Sequence, residues 1–262
     1  MGKRERYEPG TFCWADLVTT DPAGAKPFYA GLFGWEAEDV PAGEAGTYTL
    51  MRLDGDEVCG LYEMDARRRE AGAPPHWLSH VRVEDADAVA ARARELGGAV
   101  DGEVFDVGEY GRFATVRDPS GAVLVAWQTG TNAGARRVND PGCMTWNELN
   151  TREPERMAAY YAELFGWEMG AQRQNGSLVY VTVRNAGSAN GGIMPMSDQH
   201  GDAPSFWLAY FTVSSCDDAV ARVRELGGEL LAGPMEPGAG RIAVLADPQG
   251  AAFAVFEGET DD

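Results

Sequence analysis

Basic charge is scarce in this chain: 22 Lys and Arg stand against 41 Asp and Glu, for a formal net charge of −19. Such a surface repels a phosphate backbone, and no Lys/Arg stripe interleaved with aromatics offsets it, which argues against nucleic acid as a partner. Only Lys3 and Lys26 among the basic residues are lysine, a bias that with the Ala and Gly excess suits a GC-rich bacterial genome. Long apolar runs are missing as well: no stretch approaches the roughly 18 residues of a membrane span. The opening "MGKRERYEPGTF" has basic residues with no apolar run behind them, so no membrane partner and a cytoplasmic location are expected.

Cysteine and histidine are few. The four cysteines (Cys13, Cys59, Cys143, Cys216) are far apart and show no CxxC or Cys/His zinc spacing. Four reduced, mostly buried thiols are predicted, with a reactive Cys13 or Cys59 as the lesser alternative. With 44% hydrophobic residues in 262, the chain is able to bury a sizeable core.

What the sequence has in abundance is repetition. A slide of 132 residues lays "CWADLVTTDPAGAKPFYAGLFGWE" (13–36) over "TWNELNTREPERMAAYYAELFGWE" (145–168), with 11 of 24 positions identical. Near an offset of 130, "ARARELGG" matches "ARVRELGG", Trp77-Leu78 matches Trp207-Leu208, and "DPSG" matches "DPQG". The chain is therefore a duplication joined near 129–142, and predicts a first domain over 1–130, a linker over 131–140 and a second domain over 141–262. Each half holds a weaker repeat at an offset of 64, reading as strand, helix, then three strands. Asp54-Gly55 marks a hairpin, and Asp118-Pro119-Ser120-Gly121 a turn. Asp21 before Pro22 suits an N-cap, which Glu153-Pro154 mimics less well. Pro27 predicts a bend or a delayed helix start, since an interior proline loses a hydrogen bond and clashes with the preceding turn.

On "D-x(6)-FYAGLFGW", "E-x(6)-YYAELFGW", the "ELGG" helix ends and the two "DPxG" turns, the chain resembles the vicinal oxygen chelate superfamily. This is the glyoxalase, bleomycin-resistance and extradiol-dioxygenase group, and the look is that of its two-domain, actinobacterial, glyoxalase-like members, often labelled hydroxylases. The resemblance spans about 10–130 and 141–257. It implies an α+β fold of two tandem glyoxalase-like domains, four βαβββ units in all, each domain a curved, mostly antiparallel sheet around a cavity. The resemblance also implies where metal ligands would stand, and those slots hold Trp14, Leu78 and Val125 in the first domain and Trp146, Leu208 and Ala254 in the second. An indole N–H only donates, and the aliphatic groups offer nothing to a divalent ion. No metal and no cofactor are expected, although a relocated metal site would draw on His80, His76, Asp16, Glu148 or Glu57.

Strand side chains alternate, so residues two apart share a face. The inferred ligand face carries Trp14, Asp16, Val18, Leu78, His80, Arg82, Val123, Val125 and Trp127 in the first half. In the second it carries Trp146, Glu148, Asn150, Leu208, Tyr210, Thr212, Ala252, Ala254 and Phe256. Ala209, Phe211, Val213, Phe253 and Val255 fall on the opposite face, expected to pack on helices. Trp14, Leu78, Val125, Trp127, Trp146, Glu148, Leu208, Tyr210 and Phe256 form the candidate ligand-binding set. A plain alternative is that Trp14 or Trp146 plugs a redundant cavity.

Asp16 and His80 are the candidate catalytic pair, a carboxylate orienting an imidazole as general base; a solvated Asp and a satisfied His is the competing account. Glu148 and Tyr210 are the corresponding pair. His76 and His200 read as surface loop residues. Gly60 and Gly192 permit close approach by a ligand or backbone, or mark bulges, and Met194 and Met196 suit an adaptable apolar wall. The expectation is a metal-independent, glyoxalase-like protein that binds a hydrophobic or aromatic small molecule in a tailoring, accessory or resistance role. The alternatives are an enzyme, a lyase or hydroxylase-like oxidoreductase, and a structural module with filled cavities. The duplication supplies an internal pseudo-dimer, so a monomer or a homodimer is expected.

Overall fold

Cap and turn chemistry sets the element boundaries in the computed structural model, which describes residues 2–43, 46–238 and 240–260. Strand β1 (Phe12–Thr19) leads to Asp21, whose carboxylate accepts the Gly24 N–H at 3.0 Å and caps α1 (Pro22–Phe33). Pro27 sits inside that helix without delaying its start. The next strands are β2 (Glu36–Pro41), β3 (Thr47–Leu53) and β4 (Asp56–Glu63). Asp54 and Gly55 between the last two have φ of 51° and 83°, the left-handed pair that a two-residue hairpin demands.

The second unit departs from the expected strand, helix and three strands. A short helix α2 (Ala66–Glu70) precedes β5 (His76–Val83) and α3 (Ala86–Glu95), and the first following strand is broken into β6 (Ala99–Val100) and β7 (Phe105–Val107) before β8 (Gly111–Arg117) and β9 (Val123–Thr129). Gly102, at φ 79°, lies at the break.

The second half is more regular: β10 (Met144–Thr151), α4 (Pro154–Phe165), β11 (Glu168–Gln174), β12 (Ser177–Asn185) and β13 (Ser188–Pro195) come first. After a 3-10 turn (Asp198–His200) follow β14 (Phe206–Thr212), α5 (Cys216–Glu225), β15 (Glu229–Met235), β16 (Arg241–Ala246) and β17 (Ala252–Glu257). Glu153 makes no capping bond to α4 and pairs with Arg156 instead.

The fold is α+β, with one mixed sheet per domain. The orders are β2-β3-β4-β1-β5-β9-β8-β6, with β7 beside β8, and β11-β12-β13-β10-β14-β17-β16-β15. Most pairs are antiparallel, but β1 runs parallel to β4, β5 to β9, β10 to β13 and β14 to β17. Antiparallel β1/β5 and β10/β14 join the two units of each sheet.

The duplicated aromatic motif is spent on holding the two domains together. The Tyr29 hydroxyl of α1 donates to Asp247 at 3.0 Å in the second-domain "DPQG" turn, and the Tyr161 hydroxyl of α4 donates to Asp118 at 3.0 Å in the first-domain "DPSG" turn. The other carboxylate oxygen of Asp118 accepts the N–H groups of Ser120 and Ala122, so one side chain both shapes its turn and receives the other domain. Trp35 and Trp167 complete the exchange, donating at 2.7 Å to the carbonyls of Gly142 and Gly10. Phe211 and Phe253 do pack on a helix, but on α1 of the other domain, at centroid distances of 5.3 Å from Phe33 and 5.7 Å from Tyr29.

All four cysteines are free and buried. Burial pushes the Cys13 and Cys59 thiols up, away from the thiolate, which corrects the reactive-thiol alternative. No helix among the described residues is long and apolar enough to cross a membrane.

Candidate functional site

Strand register brings the sequence-inferred face together. Trp14 pairs with His80 and Asp16 with Leu78 across β1/β5, while His80 pairs with Val125 and Arg82 with Trp127 across β5/β9. The second domain repeats this with Trp146 opposite Tyr210, Glu148 opposite Leu208 and Tyr210 beside Ala254.

At the centre of the first face sits Asp16, only 6% exposed. Its Oδ1 accepts the Trp14 indole N–H at 2.9 Å and the Tyr48 hydroxyl at 2.6 Å, and its Oδ2 lies 3.1 Å from His80 Nε2. The His80 contact is close but out of line: Nε2 has no hydrogen-bond partner among the described residues. Arg82 Nη1, on the same strand, is likewise buried and without one. Trp127 stands 6.3 Å from the imidazole, its own N–H given to the Asn132 carbonyl.

In the second domain Glu148 replaces Asp16 and is also 6% exposed. The Tyr210 hydroxyl donates to its Oε1 at 2.9 Å, Asn150 reaches the same oxygen at 3.5 Å, and Tyr180 adds a further bond to the carboxyl. Trp146 gives its N–H to the Tyr180 oxygen at 3.1 Å. Burial raises the Glu148 carboxyl above the usual carboxylate range, outweighing the donated bonds from Tyr210, Tyr180 and Asn150 and the attraction of His200.

Tyr48 and Tyr180 are the residues that sequence reasoning missed. Each lies 34 positions after its tryptophan and 12 before Gly60 or Gly192, a spacing present twice in the chain. Gly60 pairs with both Leu50 and Asp16, so it occupies the strand between the tyrosine's strand and the acid's. A Cβ there would fall 1.9 Å from the Tyr48 hydroxyl and 2.1 Å from Asp16 Oδ1, and at Gly192 it would fall 1.9 Å from the Tyr180 hydroxyl. The two glycines thus admit the protein's own phenol across a strand, where an approaching ligand, backbone or bulge was expected.

The loop histidines differ. His76 opens β5, half-buried, with Nδ1 2.9 Å from the Pro74 carbonyl. His200 is half-buried in the 3-10 turn that connects β13 and β14, in the loop where the sequence reading put it, and its attraction favours the ionised form of Glu148. Met194 and Met196 are both half-buried, at the end of β13 and just beyond it. A recess of about 320 Å³ near the joint, lined by Asn139, Asp140, Thr212 and Glu257, touches neither central acid.

Exposure separates the faces. Trp14, Leu78, Val125 and Trp127 are all buried, at 4%, 4%, 2% and 8% exposed, and belong to the main core. Leu208, Tyr210 and Ala254 form a second cluster apart from that core, ringed by half-buried Trp146, Phe206, Ile242, Ala252 and Phe256. The slots of a superfamily metal hold indole, aliphatic and methyl groups in both domains, which do not fit a divalent ion. Among the described residues no group of three or more His, Cys, Asp or Glu is placed to hold one.

Comparison with known proteins agrees with this architecture. Residues 11–125 match the family model for the glyoxalase/bleomycin resistance protein/dioxygenase superfamily, and residues 144–256 the glyoxalase-like domain model. CFP32 of Mycobacterium bovis, provisionally described as a glyoxylase, is 37% identical over 261 residues, covering 98% of each chain. The anthracycline biosynthesis protein DauV of Streptomyces sp. strain C5 is 33% identical, covering 96% of this chain and 94% of its own. The Mn(II)-bound glyoxalase of Novosphingobium aromaticivorans superposes with a TM-score of 0.63 over 98% of this chain and 84% of its own, at 17% identity, a likeness of fold alone.

Proposed function

This chain belongs to the glyoxalase/bleomycin resistance/dioxygenase superfamily, and from that premise we propose that it binds an apolar or aromatic small molecule without the superfamily's metal ion, in a tailoring, accessory or resistance role in secondary metabolism. The observation that carries the reading is the second hydrophobic cluster. Half-buried Trp146, Phe206 and Phe256 surround a buried floor of Leu208, Tyr210 and Ala254, with the Tyr210 hydroxyl bonded to Glu148 and the Trp146 indole to a second phenol, Tyr180. Apolar area with a few fixed polar groups is what holds and orients a small aromatic ligand. Metal independence is supported by the donor-free slots, and the secondary-metabolism role by the likeness to DauV. The interlocked domains supply internally the pairing that a dimer would, which suits a monomer.

A second reading rests on His80, whose Nε2 is buried, uncommitted and 3.1 Å from Asp16. The imidazole would take a proton from an acidic hydroxyl or C–H, leaving the electron pair on the substrate, and Asp16 would steady the imidazolium until the proton returns.

The test is quenching of Trp fluorescence by a panel of aromatic metabolites, with and without added Mn(II), Zn(II) or Fe(II). Saturable quenching that is indifferent to metal supports binding. No response from any compound, or a response that requires stoichiometric metal, overturns the proposal. If turnover of any compound is found and survives both Asp16→Asn and His80→Ala, the acid/base reading is wrong.

A further inference from the structure

The face around Asp16 continues outward past its packed centre, and its next row carries a charge with nothing to answer it. Arg82 is half-buried, its Nη1 is covered from solvent, and its side chain forms no hydrogen bond or ion pair among the described residues. Asp16, the acid of this face, is engaged by Trp14 and Tyr48 and faces His80. The Cys13 thiol, which feels the guanidinium, is held neutral by burial and offers no counter-charge. An unpaired, partly desolvated cation costs the fold free energy, in a chain with 41 acidic side chains from which a partner could have been drawn.

Register shows what stands beside that charge. Arg82 pairs with Trp127, Trp127 with Phe113 and Phe113 with Phe105, so one residue from each of four neighbouring strands lies in a row on one face. The row climbs from buried Trp127 through half-buried Phe113 to Phe105, which is 59% exposed and 5.8 Å from Phe113 between ring centroids. The same pairings in the second domain give Thr212, Phe256, Ile242 and Met235. Both rows are apolar beyond their first member, and the first domain's alone begins on a cation.

We propose that this row is a binding site for an aromatic carboxylate, the Arg82 guanidinium taking the carboxylate and the rings of Phe113 and Phe105 receiving the aromatic body. This rests on the ligand-binding reading above and names the ligand class of the first-domain site. A planar guanidinium matches a carboxylate with paired N–H donors, and the unpartnered Nη1 has its hydrogens to give. Arg82 and Phe113 are half-buried and Phe105 is exposed, so the row is open to solvent along its outer edge. The formal charge of −19 repels anions at long range, so a preference for one would be a local property of this row.

Equilibrium dialysis of the full-length protein at neutral pH against 2-naphthoate and 2-naphthamide, which share a ring system and differ in charge, tests the inference. The native protein should hold naphthoate about ten-fold more tightly, the scale of a charge-assisted hydrogen bond. Arg82→Met keeps an apolar stem and removes the charge: the preference should vanish, and the urea midpoint should rise because an unpaired cation is gone. Arg82→Lys should keep a reduced preference, a point charge without the fork, and Phe113→Ala should weaken naphthoate about five-fold. Equal binding of the two compounds by the native protein, or a preference that survives Arg82→Met, overturns the inference and leaves the ligand-binding reading standing. So does naphthoate binding untouched by Phe113→Ala, or a urea midpoint lowered by Arg82→Met, which would make the guanidinium part of the fold's own packing. Failure of both compounds to bind overturns the two readings together.

Discussion

The Trp14 face and the Trp146 face are built on one plan and end with different chemistry. Both set an indole, an acid and a phenol in contact, the phenol crossing a glycine strand to get there. In the first, the acid is the shorter Asp16, held by two donated hydrogen bonds and with an unbonded imidazole 3.1 Å away. In the second, the longer Glu148 meets only neutral donors on its own face, and burial raises it. The first is packed into the core, and the second is a separate cluster ringed by half-buried side chains. The two halves share the scaffold that positions an acid and differ in two residues, His80 against Tyr210 and Asp16 against Glu148, which set whether that acid sits beside a base or in apolar company.

The largest test of that contrast is at the glycines. Both phenols are half-buried, but Gly60→Ala drives a methyl into the Tyr48 hydroxyl and into Asp16, whereas the nearest atoms met by Gly192→Ala all belong to the Tyr180 ring and hydroxyl, so a single side chain has to give. We expect a loss of about 2 kcal/mol for the first and about 1 kcal/mol for the second, read by urea denaturation. Equal losses would mean the two clusters are equally rigid and would remove the contrast.

Much of this arrangement was legible in the chain. Trp14 and Trp146, the strand alternation and the two acids followed from the duplication together with the superfamily resemblance. The Asp16–His80 and Glu148–Tyr210 neighbours followed from adjacent strands. The tyrosines were not seen, because a contact across an intervening glycine leaves no periodic trace; only the 34-residue spacing, compared between halves, would have shown it. The interlock also escaped. "FYAGLFGW" announces a helix with an apolar face, but which domain that face meets depends on how the sheets pack, and α1 reaches the other domain's "DPQG" turn. His200 was placed by a turn whose path no local pattern encodes.

A smaller effect separates the acids by protonation. Asp16→Asn weakens the charge-assisted bonds from Trp14 and Tyr48 and sets an amide nitrogen against His80, so a loss of about 1.5 kcal/mol is expected. Glu148→Gln should cost about 0.5 kcal/mol in acid, where the native glutamate is itself neutral. The Glu148 pKa is raised in the folded state, so between its ordinary and its raised value the native protein binds the extra proton. Its contribution to stability is present at low pH and lost as pH rises through the folded value. Asp118 and Asp247, also raised by burial, give the same sign in every variant and cancel in the comparison. The glutamine variant should therefore gain on the native protein with increasing pH. A native protein that gains on the variant instead would show that Glu148 is ionised in the fold.

The finest probe is Tyr210→Phe, which removes one hydroxyl and leaves the ring. The lost bond to Glu148 Oε1, 2.9 Å in the structure, should cost about 0.5 to 1 kcal/mol. Its second consequence is the sharper one. A hydrogen bond donated by Tyr210 favours the carboxylate, so its removal should push the Glu148 pKa higher still, moving the carboxyl 13C titration to higher pH. In the first domain the analogous loss, His80→Phe, takes away a base that faces Asp16 and has no such donated bond to lose. A downward or absent shift on Tyr210→Phe would mean that Tyr210 accepts from Glu148 instead of donating to it, and that the acid form is held by the protein's own phenol.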